Sequence, residues 1–201
     1  MAPAWDVALF RAIHHGLHHP LLDPLMKMLT DPGVWKAPLF TAAAALFLAR
    51  GRRGVMALGA LVLTVALSDQ VNSRGLKPLF RRERPSVALA DTKPLFGVRH
   101  TDSFPSSHAV NFFAAAPLVR EAFPAAGAAY LVLASAVAFS RVYVGDHYPS
   151  DVIVGALLGT VIGWLGRKAL RRALATWERR RTAAREPAEG RANGEGPNGG
   201  P

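Results

Sequence analysis

The chain has 201 residues, half of them apolar, a formal charge of +10 at pH 7 and no cysteine. That length suits one domain, and the lack of cysteine rules out disulfides while leaving the compartment open. The cations gather at the ends of apolar runs, above all over 167–185, instead of spreading over one face. This argues against a nucleic-acid surface and for contact with anionic lipid headgroups.

Residues 3–17 carry apolar side chains at helical spacing, and 20–30 form a second short apolar piece. Together they predict one or two helices lying at a membrane interface, or a sixth, partly inserted helix. Asp6 and the His-rich stretch 14–19 interrupt any secretory-signal pattern. His14, His15, His18 and His19 include i,i+4 pairs that suit a metal, but no carboxylate completes such a site in the sequence, so a half-buried interfacial face is expected.

Five apolar runs follow, at 34–49, 54–71, 107–123, 125–144 and 152–170. A helix crossing about 30 Å of hydrocarbon needs roughly 20 mostly apolar residues. Pro117 predicts a kink in the third run, and Gly155, Gly159, Gly163 and Gly166 suit close helix packing in the fifth. The expected fold is all-α, a polytopic membrane helix bundle of five spans plus the N-terminal interfacial or sixth helix. Its regions are 1–33 (interfacial helices), 34–172 (membrane domain) and 173–201 (a basic helix end and tail). After Glu186 the Gly, Pro, Asn and Glu composition predicts disorder.

Charge sets an expected orientation. Arg50, Arg52 and Arg53 lie between the first two runs, and Arg167, Lys168, Arg171, Arg172 and Arg179–Arg181 follow the last. The positive-inside rule puts both groups and the C-terminus in the cytoplasm of a plasma-membrane protein. Segments 72–106 and 144–151 then face outward. Lys77, Arg81, Arg82 and Arg84 in the first of these run against the rule, which points to anion binding there.

Three polar clusters fall at the outward ends of the runs: Lys77 to Pro85, Pro105 to His108, and Ser140 to Asp151. Lys77, Arg84 and Arg141 supply three cations, and guanidinium forks match phosphate oxygens two at a time. Pro105 and Ser106 ahead of an apolar run read as a helix start, which aims the amides of Ser107 and His108 at an anion. The Ser106 hydroxyl either caps that helix or binds phosphate. His147 precedes another helix start, with Pro149 at its first position and Asp151 in its first turn. From there the carboxylate folds back on the imidazole, holding one ring nitrogen protonated and leaving the other free to attack.

Lys-x6-Arg-Pro, Pro-Ser-x-His and Ser-Arg-x5-His-x3-Asp, in this order, resemble the signature of the type 2 phosphatidic acid phosphatase superfamily. Its members include bacterial undecaprenyl-diphosphate phosphatases, phosphatidylglycerophosphate phosphatases and soluble vanadium haloperoxidases. The resemblance covers about residues 34–170, with one departure: Ser107 stands where the family most often has Gly or Asp. It implies a membrane lipid phosphatase acting through a phosphohistidine. His147 would be the nucleophile, His108 the general acid and then base, and Asp151 the orienting carboxylate. Lys77, Arg84, Ser106, Ser107 and Arg141 would bind phosphate. No metal or other cofactor is implied, since three cations and helix termini neutralise the phosphate and no acidic cluster suits Mg²⁺. The expected partners are membrane lipids and a lipid phosphate, with undecaprenyl diphosphate favoured by an outward site. Phosphatidic acid, phosphatidylglycerophosphate and a non-catalytic lipid-phosphate transporter are the alternatives. Outside the motifs, Arg81 and Arg82 are expected to touch headgroups, Asp69 to snorkel to the interface, Tyr143 and Tyr148 to join an aromatic belt, and Gly145 to serve a turn.

Overall fold

A computed structural model describes residues 2–31, 33 and 36–193. Among these there is no strand. The N-terminal region forms α1 (Ala4–His14) and α2 (Asp23–Thr30). The first two apolar runs form α3 (Lys36–Leu48) and α4 (Gly51–Gln70), and a π-helical turn, Val71–Leu76, carries α4 into the short α5 (Lys77–Phe80). A second short helix, α6 (Pro85–Ala88), precedes an irregular segment. Then come α7 (Ser107–Ala122), α8 (Gly127–Tyr143) and α9 (Pro149–Asn193).

Each of the five expected apolar runs is a helix, but they are unequal. Gly51–Ala88, Pro124–Tyr143 and Pro149–Ala183 are long and apolar enough to cross a membrane. α3 and α7 have 13 and 16 residues, or about 20 and 24 Å at 1.5 Å per residue, short of a full crossing taken alone. Among the described residues, length and apolarity therefore identify three spans where the sequence predicts five. The surface fits a lipid environment. Leu63 is 72% exposed, Val132 71% and Leu157 63%, and so many large apolar side chains facing outward on one bundle mark a membrane protein.

α7 sits at the centre and packs against α4, α8 and α9. Its contact with α9 is the closest because α9 presents glycine: a Cβ on Gly159 would lie 2.2 Å from the Val110 carbonyl oxygen, and one on Gly163 2.3 Å from that of Ala114. Below the site, Phe47, Ala57, Leu118 and Leu170 form one apolar core; at the site end, Phe10, Val142 and Tyr148 form another. α1 and α2 both pack on α8, and α1 also reaches α9.

Two further expectations change. Tyr143 and Tyr148 are buried instead of forming a belt. The Tyr143 hydroxyl donates to Asp23 Oδ1 at 2.7 Å and accepts from the His19 amide at 3.0 Å, while the Tyr148 ring meets Phe10 edge-on at 5.7 Å. The N-terminal helices cover both rings. At the other end, α9 runs past Glu186 to Asn193, as Ala, Arg and Glu are good helix formers. The rest of the tail expected to be disordered, 194–201, lies outside the described residues.

Candidate active site

The starts of α7 and α9 are tied together directly, for the Ser106 amide donates to the Asp151 carbonyl at 3.0 Å. Ser106 is the extended residue ahead of α7, yet its side chain makes no capping bond. Its Oγ is buried and has no partner among the described residues. Of the two roles open in the sequence, capping is therefore not taken. The neighbouring Ser107 hydroxyl is already engaged, accepting from Asn72 Nδ2 at 2.9 Å. The π-helical turn that contains Asn72 sets this contact, and such turns recur at functional sites.

The loop from α8 to α9 is folded by local rules. Gly145 has φ +89°, the left-handed geometry that commonly follows a helix end. The amides of Asp146 and His147 then turn back to the Arg141 carbonyl at 3.1 and 3.2 Å. The result buries Arg141, Asp146 and His147 together.

His147 is 2% exposed. Its Nε2 lies 3.2 Å from Arg84 Nη1. Arginine has donors only, so Nε2 accepts and the ring proton is on Nδ1. Nδ1 in turn lies 3.4 Å from Asp151 Oδ2, close to the carboxylate but outside hydrogen-bond geometry, and has no hydrogen-bond partner among the described residues. Burial, and then the charges of Arg84 and Arg141, hold the His147 pKa well below the usual 6.5. The imidazole is therefore neutral at pH 7. Asp151 is held firmly: Oδ2 accepts the Tyr148 amide at 2.9 Å and Oδ1 accepts Arg82 Nη1 at 2.6 Å.

Two of the predicted cations converge on this loop. Arg84 donates to the Thr101 carbonyl at 2.9 Å and the Asp146 carbonyl at 3.0 Å, besides His147. Arg141 pairs with the Asp146 carboxylate. Lys77 lies alongside: its Nζ donates to the Asp102 carbonyl at 2.6 Å, which Arg84 Nη2 also approaches at 3.4 Å. His108 occupies the first turn of α7, half-buried. No described hydrogen bond joins it to His147.

The structure adds residues that sequence reading missed or misread. Asp146 sits among three guanidinium groups, with Arg99 Nη1 at 3.7 Å and Arg84 Nη1 at 4.0 Å besides Arg141. A charged residue between Gly145 and His147 was its only signal. Arg82 is no headgroup contact: it is 12% exposed and binds Asp6 Oδ2 at 2.5 Å as well as Asp151. Nor does Asp69 snorkel to the interface; it accepts from Asn111 Nδ2 at 3.1 Å inside the α4–α7 seam. The histidines take separate partners, His14 Nδ1 the Tyr143 carbonyl at 2.7 Å and His18 Nδ1 Asp23 Oδ1 at 3.1 Å.

Against known proteins, the family model described as the PAP2 superfamily matches residues 54–174. The lipid A 4'-phosphatase of Bacteroides thetaiotaomicron is 34% identical over 113 residues, covering 53% of this chain and 50% of that protein. The decaprenylphosphoryl-5-phosphoribose phosphatase of Mycobacterium tuberculosis is 40% identical over 94 residues, 44% of this chain and 48% of that protein. The chain thus spans about half the length of the curated relatives it matches. Among solved structures, the crystal structure of Aquifex aeolicus LpxE aligns with a TM-score of 0.67 at 30% identity, covering 83% of this chain and 96% of that one.

Proposed function

Because the chain belongs to the PAP2 superfamily, we propose that it is a membrane phosphatase that hydrolyses a lipid phosphate or diphosphate through a phosphohistidine. The observation that carries this reading is the state of His147, a buried neutral imidazole with its Nε2 lone pair toward Arg84 and its Nδ1 3.4 Å from the Asp151 carboxylate.

In this reading the phosphoryl group enters between Arg84, Arg141 and the start of α7. Arg84 shifts its donation from Nε2 to a phosphoryl oxygen, and Arg141 exchanges Asp146 for another. The Ser106 hydroxyl, the amides of Ser107 and His108, and Lys77 complete the cradle. Nε2 attacks the terminal phosphorus, forming a P–N bond as the P–O bond to the leaving group breaks, a lipid alcohol from a monophosphate or a lipid monophosphate from a diphosphate. His108 gives its proton to the departing oxygen. It then takes a proton from water, whose oxygen attacks phosphorus, breaks the P–N bond and releases inorganic phosphate. Positioning and charge neutralisation supply most of such catalysis, and fixed cations do here what a metal does elsewhere.

The proposed topology has α3, α4, α7, α8 and α9 all traversing the bilayer, the two short helices completed by their flanks, with the site outward and the C-terminus in the cytoplasm. An outward site suits undecaprenyl diphosphate, our preferred substrate. Relatives named as lipid A and decaprenyl-linked phosphatases support the class, a phosphate on a large lipid, and make lipid A a competitor beside phosphatidic acid and phosphatidylglycerophosphate. Phosphate release by purified protein in EDTA, from each of these lipids, tests the reading. Undecaprenyl diphosphate should show the highest kcat/KM. A higher value on another lipid moves the substrate, and no release from any of them by folded protein sinks the enzyme.

A further inference from the structure

Behind Asp151 lies a buried charge cluster that the mechanism above does not use. Asp6, in the first turn of α1, is fully buried. Its Oδ1 accepts the Ser150 amide at 2.9 Å, and its Oδ2 accepts Arg82 Nη2 at 2.5 Å and the Ser150 hydroxyl. The other arm of the same guanidinium, Nη1, donates to Asp151 Oδ1 at 2.6 Å and to Ser150 Oγ at 2.7 Å. Arg82 also lies 4.2 Å above the Tyr148 ring. A buried carboxylate with no catalytic task costs several kcal/mol unless it is paired. Asp6 is paired, and its partner is the residue that grips Asp151.

α1 holds the same loop at two more points. Phe10 packs on Tyr148, and His14 bonds the Tyr143 carbonyl and lies 3.2 Å from where a Cβ on Gly145 would stand. Asp6 lies outside the region matched by the family model, residues 54–174.

On the functional reading above, we infer that Asp6 and Arg82 are positioning residues for the reaction, Arg82 bridging Asp6 to Asp151 so that α1 fixes the carboxylate that orients His147. One guanidinium shared by two carboxylates does two things. Its planar fork fixes the Asp151 rotamer, which a single-point cation does less well. Asp6 also takes up part of the Arg82 charge, leaving Asp151 a better acceptor for the Nδ1 proton. Neutralising Asp6 puts the whole charge on Asp151 and makes His147 less basic. Removing Arg82 releases Asp151 and makes His147 more basic, at the cost of its orientation. The other charges facing His147 (Arg84, Arg141, Asp146 and Lys77) are common to both variants, so the two shifts have opposite signs.

The test compares wild type, Asp6→Asn, Arg82→Met and Arg82→Lys, each verified as folded by its melting temperature. Phosphate release gives kcat and KM on a lipid that the wild type hydrolyses. Nitrogen-15 NMR of the histidines, with His147 assigned from its loss in His147→Gln, gives the titration midpoint without turnover. We expect kcat to fall about tenfold or more in Asp6→Asn and Arg82→Met, with KM little changed. The His147 midpoint should move down in the first and up in the second. Arg82→Lys, which keeps charge and much of the packing, should fold and recover part of kcat. Unchanged kcat in any folded variant overturns the proposal, as do midpoints that move together or stay put. A wild type that titrates as described but releases no phosphate refutes the functional reading instead, and the NMR arm still decides the coupling.

Discussion

In the proposed mechanism the chemistry turns on one ring nitrogen of His147 and on the charges that face it. The depressed pKa means that the folded protein resists protonating this ring, so the proposed nucleophile stays available as pH falls below 6.5. The acidic limb of kcat/KM should therefore have its midpoint below 6.5. Arg84 lies 3.2 Å from Nε2, and Arg84→Gln removes a cation that opposes the proton. That variant should move the limb to higher pH while lowering kcat/KM, about a hundredfold if the lost contact strengthens at the transition state. A pH–rate profile of the two proteins checks this; a limb that moves down would mean that Arg84 does not set the basicity of His147. The sequence made Lys77, Arg84, Arg141, His147 and Asp151 legible because their spacings within each cluster are short and fixed. Arg82 and Asp6 were not, since their meaning depends on a contact across 76 positions of chain. No periodicity announces such a pair.

The element that builds the site is the seam between α7 and α9. It ends at the bond from the Ser106 amide to the Asp151 carbonyl, so packing along the seam sets the distance between the two helix starts. Gly155, Gly159 and Gly163 face α7 so closely that added Cβ atoms would meet backbone at 2.9, 2.2 and 2.3 Å. Backbone cannot move aside as a side chain can, so Gly159→Ala should cost about 1–3 kcal/mol and lower kcat by prising the helix starts apart. Gly59 is the control: a Cβ there meets nothing within 4 Å, and it lies in α4. Gly59→Ala should leave stability unchanged or raise it by up to about 1 kcal/mol. Melting temperatures in one detergent decide, and equal values for Gly159→Ala and wild type would disprove the close seam. The glycine spacing was readable in advance because small residues at every fourth position line one helix face. The shortness of α3 and α7 was less so. Apolar composition runs on through residues that cap or turn, and only tertiary packing fixes where each helix ends.

Across the whole molecule the charges divide by end. The site gathers where α4 and α8 finish and α7 and α9 begin. At the opposite end Arg53 pairs with Glu178 at 2.6 Å, and Arg167 and Arg171 both bind Glu121, at 2.7 and 2.8 Å. α4, with 20 residues, is about 30 Å long and separates the two. Exposed apolar side chains such as Leu63 and Leu157 lie on α4 and α9 between these ends. If the basic end lies in the cytoplasm, as the positive-inside rule implies, the site opens outward, and on the proposed function the chain then handles lipid phosphates of the outer leaflet. Cysteine labelling reads this directly, since the native chain has none. Val98 is exposed in the segment before α7, and Arg180 is exposed on α9 at the basic end. In intact cells a membrane-impermeant maleimide should label Val98→Cys, whereas Arg180→Cys should react only after permeabilisation. The reverse pattern would turn the protein over in the bilayer, and undecaprenyl diphosphate on the outer face would lose its standing as substrate while the proposed phosphatase site itself stayed intact.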